Sequence, residues 1–108
     1  MKKLLMLSTF FILSSNAQAA IGCAKYENYP RYVKAIETVA AYLGKTTEEF
    51  CSNPRVLDIE AQPSRKVTRE GEVIPHVAVQ EHFAYDSCLY MVNETNYSIS
   101  EVRCYNGF

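Results

Sequence analysis

The sequence predicts an α+β domain, an amphipathic helix laid on a curled antiparallel sheet and stapled by two disulfides. Three observations predict it. Residues 28–44 carry apolar side chains at three- and four-residue intervals, the period of a helix. From Arg55 onward the period changes to two, the signature of half-buried strands. All four cysteines, Cys23, Cys51, Cys88 and Cys104, follow an N-terminal segment built like an export leader.

That leader comes first. Lys2 and Lys3 precede an apolar run from Leu4 to Leu13, and Ala17-Gln18-Ala19 supplies a small-residue cleavage site. The expected division is a signal peptide over residues 1–19 and one exported domain over 20–108, about 89 residues. Losing two lysines from 11 basic residues, against 12 acidic ones, makes the exported part more acidic than the encoded net charge of −1. The compact leader points to a bacterial periplasm, or secretion. In a eukaryotic setting Asn93-Glu94-Thr95 and Asn96-Tyr97-Ser98 would be glycosylation acceptors. Ala20-Ile21-Gly22 before Cys23 resembles a degenerate lipobox, a rival reading that puts a lipid anchor on Cys23. It is disfavoured because Ala stands where Leu is usual and because three cysteines would be left over.

The helix comes next. Tyr29, Tyr32, Val33, Ile36, Val39, Ala40 and Leu43 form its apolar stripe, with Asn28 as cap, Pro30 in the first turn and Gly44 at the end. Thr46 with Glu49 three residues on is a capping box opening a very short second helix, which Asn53-Pro54 stops. Four or five strands follow. Val56–Ala61 alternates, with Leu57 and Ile59 on one side, until Pro63-Ser64 breaks it. Lys66–Glu70 and Val73 onward make a hairpin about Glu70-Gly71-Glu72. Residues 76–85 are the strongest strand, with Val77, Val79, Glu81, Phe83 and Tyr85 on one face and His76, Ala78, Gln80, His82 and Ala84 on the other.

The final hairpin sets the cysteine pairing. Folding about Thr95-Asn96-Tyr97 puts Cys88 opposite Cys104, Tyr90 opposite Val102 and Val92 opposite Ser100. Facing strand positions are within disulfide reach. Cys23–Cys51 is then the remaining pair. No Cys-x-x-Cys or zinc-knuckle spacing occurs, so no metal is expected.

Function is less legible. The acidic balance excludes a general nucleic-acid footprint, and the exported part has no apolar run approaching the ~18 residues of a membrane helix. The C-terminal Phe108 does not make an outer-membrane barrel of a chain this short. His76 and His82 share a face, but six residues of strand separate them by about 20 Å. Either would need a partner from another strand. Ser87 sits in a turn, no nucleophile elbow or phosphate-binding glycine run occurs, and the remaining glycines read as a terminus, a cap and turns. Arg65, Lys66 and Arg69 are followed at once by Glu70 and Glu72, a mixed-sign surface. No cofactor and no enzymatic activity are expected.

Eight tyrosines and no tryptophan are the compositional oddity. Tyrosine offers contact area with a polar handle, as interfaces favour. Tyr29, Tyr32 and Tyr90 are expected at the core margin, where Tyr85 also fits; Tyr42, Tyr97 and Tyr105 are the candidate binding residues. The expectation is a small periplasmic protein-binding module, inhibitor or immunity in type, acting on an envelope enzyme or toxin. The alternatives are an assembly accessory of a secretion, conjugation or envelope complex, and a small hydrolase.

Overall fold

The computed structural model of the protein describes residues 21–106; the expected leader, and the terminal Gly107-Phe108, lie outside the described residues. A 3-10 turn, Ile21–Tyr26, is followed by helix α1, Pro30–Tyr42, and helix α2, Thr47–Cys51. Four strands then run in sequence order as one antiparallel sheet: β1, Asp58–Val67; β2, Val73–His82; β3, Asp86–Asn93; β4, Ser98–Asn106. This is the expected α+β layering with both expected disulfides, Cys23–Cys51 and Cys88–Cys104. Cys23 Sγ is therefore bonded to Cys51, which leaves no thiol for a lipid thioether.

Helix α1 begins later than the sequence suggests. Its N-cap is Tyr29 rather than Asn28, with no side-chain cap, and Pro30 occupies the first turn, where its missing N–H costs nothing. Ala35, Ile36, Val39 and Ala40 are the residues it buries. Tyr29 lies before the first turn and is 54% exposed, so it does not join the core as expected. Gly44 ends the helix with φ +72°, a left-handed residue that glycine adopts freely. Its N–H donates to Ala41 O and that of Lys45 to Ala40 O, the paired bonds of a Schellman stop. In α2 the capping box forms as read, with Thr46 Oγ1 accepting from Glu49 N and Glu49 Oε1 from Thr46 N. It sets Phe50, fully buried, and Cys51 beneath α1.

The 3-10 turn, Ile21–Tyr26, has no periodic signal in the sequence. It is tied by Cys23–Cys51 and by Lys25 Nζ, 2.8 Å from Asp58. Tyr26 Oη accepts a 2.8 Å bond from Ala61 N, covering an outward donor of edge strand β1. Gly22 is required for close approach rather than for a turn: a Cβ there would sit 2.2 Å from the Cys51 carbonyl oxygen.

Pro63 does not break the strand. It pairs with Val77 inside β1, on the same outward side as Ala61, where an edge strand needs no donor. This merges two expected strands into one, so the sheet has four. Strand β2 starts at Val73 and stops at His82, leaving Phe83–Tyr85 in the turn to β3, closed by Phe83 N donating to Asp86 O. In the last hairpin Cys88 faces Cys104 and Tyr90 faces Val102 as expected, but Val92 pairs with Ile99. A bulge at Met91/Val92 makes Ser100 the extra residue. Val77, Val79, Tyr90, Val92, Ile59 and Ala61 face the helices and complete the core with Phe50 and the α1 stripe.

The sheet curls strongly. Strands β1 and β4 are its opposite edges, yet Lys66 Nζ lies 2.7 Å from Glu101 Oε1 across the face away from the helices. That curl buries His76, Ala78 and Met91. His76 Nε2 meets the bulge serine, Ser100 Oγ, at 2.8 Å, and Nδ1 donates to Ile74 O at 2.9 Å.

Candidate functional groove

A helix of 13 residues is about 20 Å long, whereas a strand of 10 spans about 33 Å. Helix α1 therefore cannot cover the whole of β2. Its N-terminal end is pinned to the β3–β4 hairpin tip, where Arg31 forms a two-pronged bond to Glu94 through Nε and Nη2 at 2.9 and 2.5 Å. The uncovered end of the sheet is the other one, beyond Tyr42, where β2 runs out at Glu81-His82. A cleft of about 810 Å³ lies there. Glu81 and Tyr90 contribute to it from the sheet, Leu43 and Lys45 from the helix stop, Arg55 and Leu57 from the segment before β1, and Phe83, Tyr85 and Asp86 from the β2–β3 turn.

The rim carries two strongly exposed apolar side chains. Leu57 is 70% and Tyr85 69% exposed. The sequence alternation had set Leu57 on the core side with Ile59, but the strand starts only at Asp58, and Leu57 turns outward. Tyr42, 56% exposed, stands beside the cleft with its ring edge-on to Tyr90 at 6.4 Å between centroids. Tyr105 shares an adjoining shallow surface with the β2–β3 turn. Tyr97 does not belong to this cluster: at the far hairpin tip, with φ +50°, it packs half-buried against the core with Lys34 Nζ 5.2 Å from its ring centre. Two of the three tyrosines singled out from the sequence thus gather at one end of the molecule, with Tyr85 added, and the third does not.

The floor carries a carboxyl group. Glu81 is 3% exposed on the same face as Val77 and Val79. Tyr90 Oη donates to its Oε1 at 2.7 Å. Burial, and then this bond to a carboxylate, push the Tyr90 phenol well above its ordinary range. The ion pairs among the described residues join Lys25–Asp58, Arg31–Glu94, Lys66–Glu101, His82–Glu60 and Arg103–Glu101, and none includes Glu81. Lys66, from the basic cluster read in the sequence, is thereby committed to the sheet's curl.

The histidines have separate roles, as their spacing required. His82 contacts Glu60 across the β1–β2 ladder. His76, 1% exposed, does have a partner from another strand, Ser100, and this bond links β2 to β4 over the top of β3. Among the described residues no three His, Cys, Asp or Glu side chains converge as metal ligands, and no helix is long and apolar enough to cross a membrane. No protein-family model, curated protein or solved structure shows significant similarity to the chain.

Proposed function

We propose that the chain is a small exported protein-binding module of the inhibitor or immunity type, which acts in the periplasm by occluding an envelope enzyme or toxin. The observation that carries this reading is the grouping of Leu57, Tyr85 and Tyr42, each more than half exposed, around one cleft. Exposed apolar side chains grouped about a cleft and rimmed by charges are what a partner's surface covers. Two disulfides bracket the cleft: Cys88 lines it, and Cys51 closes the helix that leads into its Asn53–Leu57 wall. A rim held in place binds with little ordering cost.

The test is capture from periplasmic extract, followed by measurement of affinity for the recovered partner. Leu57→Asp with Tyr85→Ala should weaken that affinity by at least about a hundredfold, as the loss of central apolar and aromatic contacts does. Val67→Asp, at the far end of β1, should leave it intact. Equal loss from both variants would move the interface away from the cleft. Turnover of a cell-wall or ester substrate by the purified protein would favour the hydrolase instead.

A further inference from the structure

We infer that the cleft anchors a single basic side chain, a lysine or arginine of the partner, on the carboxylate of Glu81. This rests on the protein-binding reading and names the chemistry the cleft would recognise. A carboxylate has about four acceptor positions, and Tyr90 fills one of them with a neutral donor. Among the described residues no side-chain oxygen is both shut from solvent and unpartnered, so the acceptor positions Tyr90 leaves on Glu81 are open to water and to an entering cation. The fold holds Glu81 at the floor of its large cleft, and none of the ion pairs among the described residues includes it, although Lys45 and Arg55 line the same cleft. An entering guanidinium or ammonium would replace that water with charged donors.

The walls fit the rest of such a side chain. Phe83 offers an aromatic surface along which an aliphatic stem lies and over which a cation is attracted. Asp86 adds a second negative charge at the turn. Lys45 and Arg55, also lining the cleft, limit what may flank the anchor. They repel a polybasic segment and favour acidic neighbours, so the preferred ligand is one basic residue between acidic ones.

The test uses the oxidised, exported protein and a synthetic peptide, acetyl-Gly-Asp-Arg-Asp-Gly-amide, compared with the same peptide carrying citrulline, an uncharged isostere of arginine. Titration followed by amide NMR should shift Glu81, Phe83 and Tyr85, with the arginine peptide bound at least about tenfold tighter. Glu81→Gln should remove that preference. Equal binding of the two peptides to the wild-type protein, shifts confined to other surfaces, or a preference that survives Glu81→Gln would each overturn the inference. The comparison of peptides on the wild-type protein decides even if Glu81→Gln fails to fold. Such a failure leaves the binding-module reading standing, because the Leu57 and Tyr85 capture experiment does not involve Glu81.

Discussion

Breaking the two disulfides one at a time separates what each staple contributes. The bridges close loops of 28 and 16 residues. Chain entropy then assigns them about 3.5 and about 3 kcal/mol, acting on the unfolded chain. Alanine is the proper replacement, since Cys51 is 6% exposed and serine would bury a hydroxyl there. Cys88→Ala with Cys104→Ala leaves the β3–β4 ladder in place, so its loss should stay near the entropic value. Cys23→Ala with Cys51→Ala also frees the 3-10 turn. The Lys25–Asp58 pair, each side chain about half exposed, holds that turn only weakly. Tyr26 would release the Ala61 amide, whose hydrogen exchange should accelerate selectively. Urea denaturation at neutral pH measures both losses, with a larger m-value expected as the unfolded chain expands. A loss below about 1 kcal/mol for the Cys88/Cys104 pair, or an Ala61 amide unmoved by the Cys23/Cys51 pair, would refute the reasoning.

Gly22→Ala should cost about 1–3 kcal/mol in the same denaturation experiment, because the new methyl meets the backbone of Cys51 and not a movable side chain. Ser100→Ala should cost less, about 0.5–1.5 kcal/mol, because Ser100 is exposed and water can take the place of its hydroxyl at His76 Nε2. Acid stability offers a third check. Arg103 and then Lys66 hold Glu101 at about 2, below the ordinary 4.5. The folded value is the depressed one, so this contribution is present in full above pH 4.5 and is lost as pH falls toward 2. Glu101→Gln should therefore flatten the stability profile across that window and leave its shape above it unchanged, as read from thermal midpoints at stepped pH.

The fold was legible where local chemistry and long-range packing agree. The Schellman glycine, the Thr46–Glu49 box and the pairing of Cys88 with Cys104 are each set by residues close in sequence or by a single hairpin. What went unread depends on distant partners. Pro63 signals a break unless β1 is known to be an edge, and that follows only from the order of the whole sheet. The Met91/Val92 bulge sets Ser100 where it bonds His76, two strands away, a contact that only the folded sheet brings about. The 3-10 turn has no periodicity of its own, because a bridge and one tyrosine hydroxyl hold it in place.

The site was half visible for a related reason. Alternation along residues 76–85 already placed Glu81 among Val77, Val79, Phe83 and Tyr85, a lone carboxylate on an otherwise apolar face. In a strand that packs under a helix such a residue must be paired, protonated or facing an opening. The sequence cannot choose, because the choice rests on how far the helix extends. Gly44 settles that by ending α1 short of the strand's end, and Leu57 and Tyr85 then stand over the gap instead of filling it. Lengthening α1 by one turn, with Gly44→Ala and an inserted Ala-Leu-Lys, would carry an apolar side chain over Glu81. The structure then predicts a closed cleft with both disulfides retained, since Cys51 is anchored by Gly22 and Phe50 rather than by the helix stop. The proposed binding role adds loss of partner capture as the expected outcome.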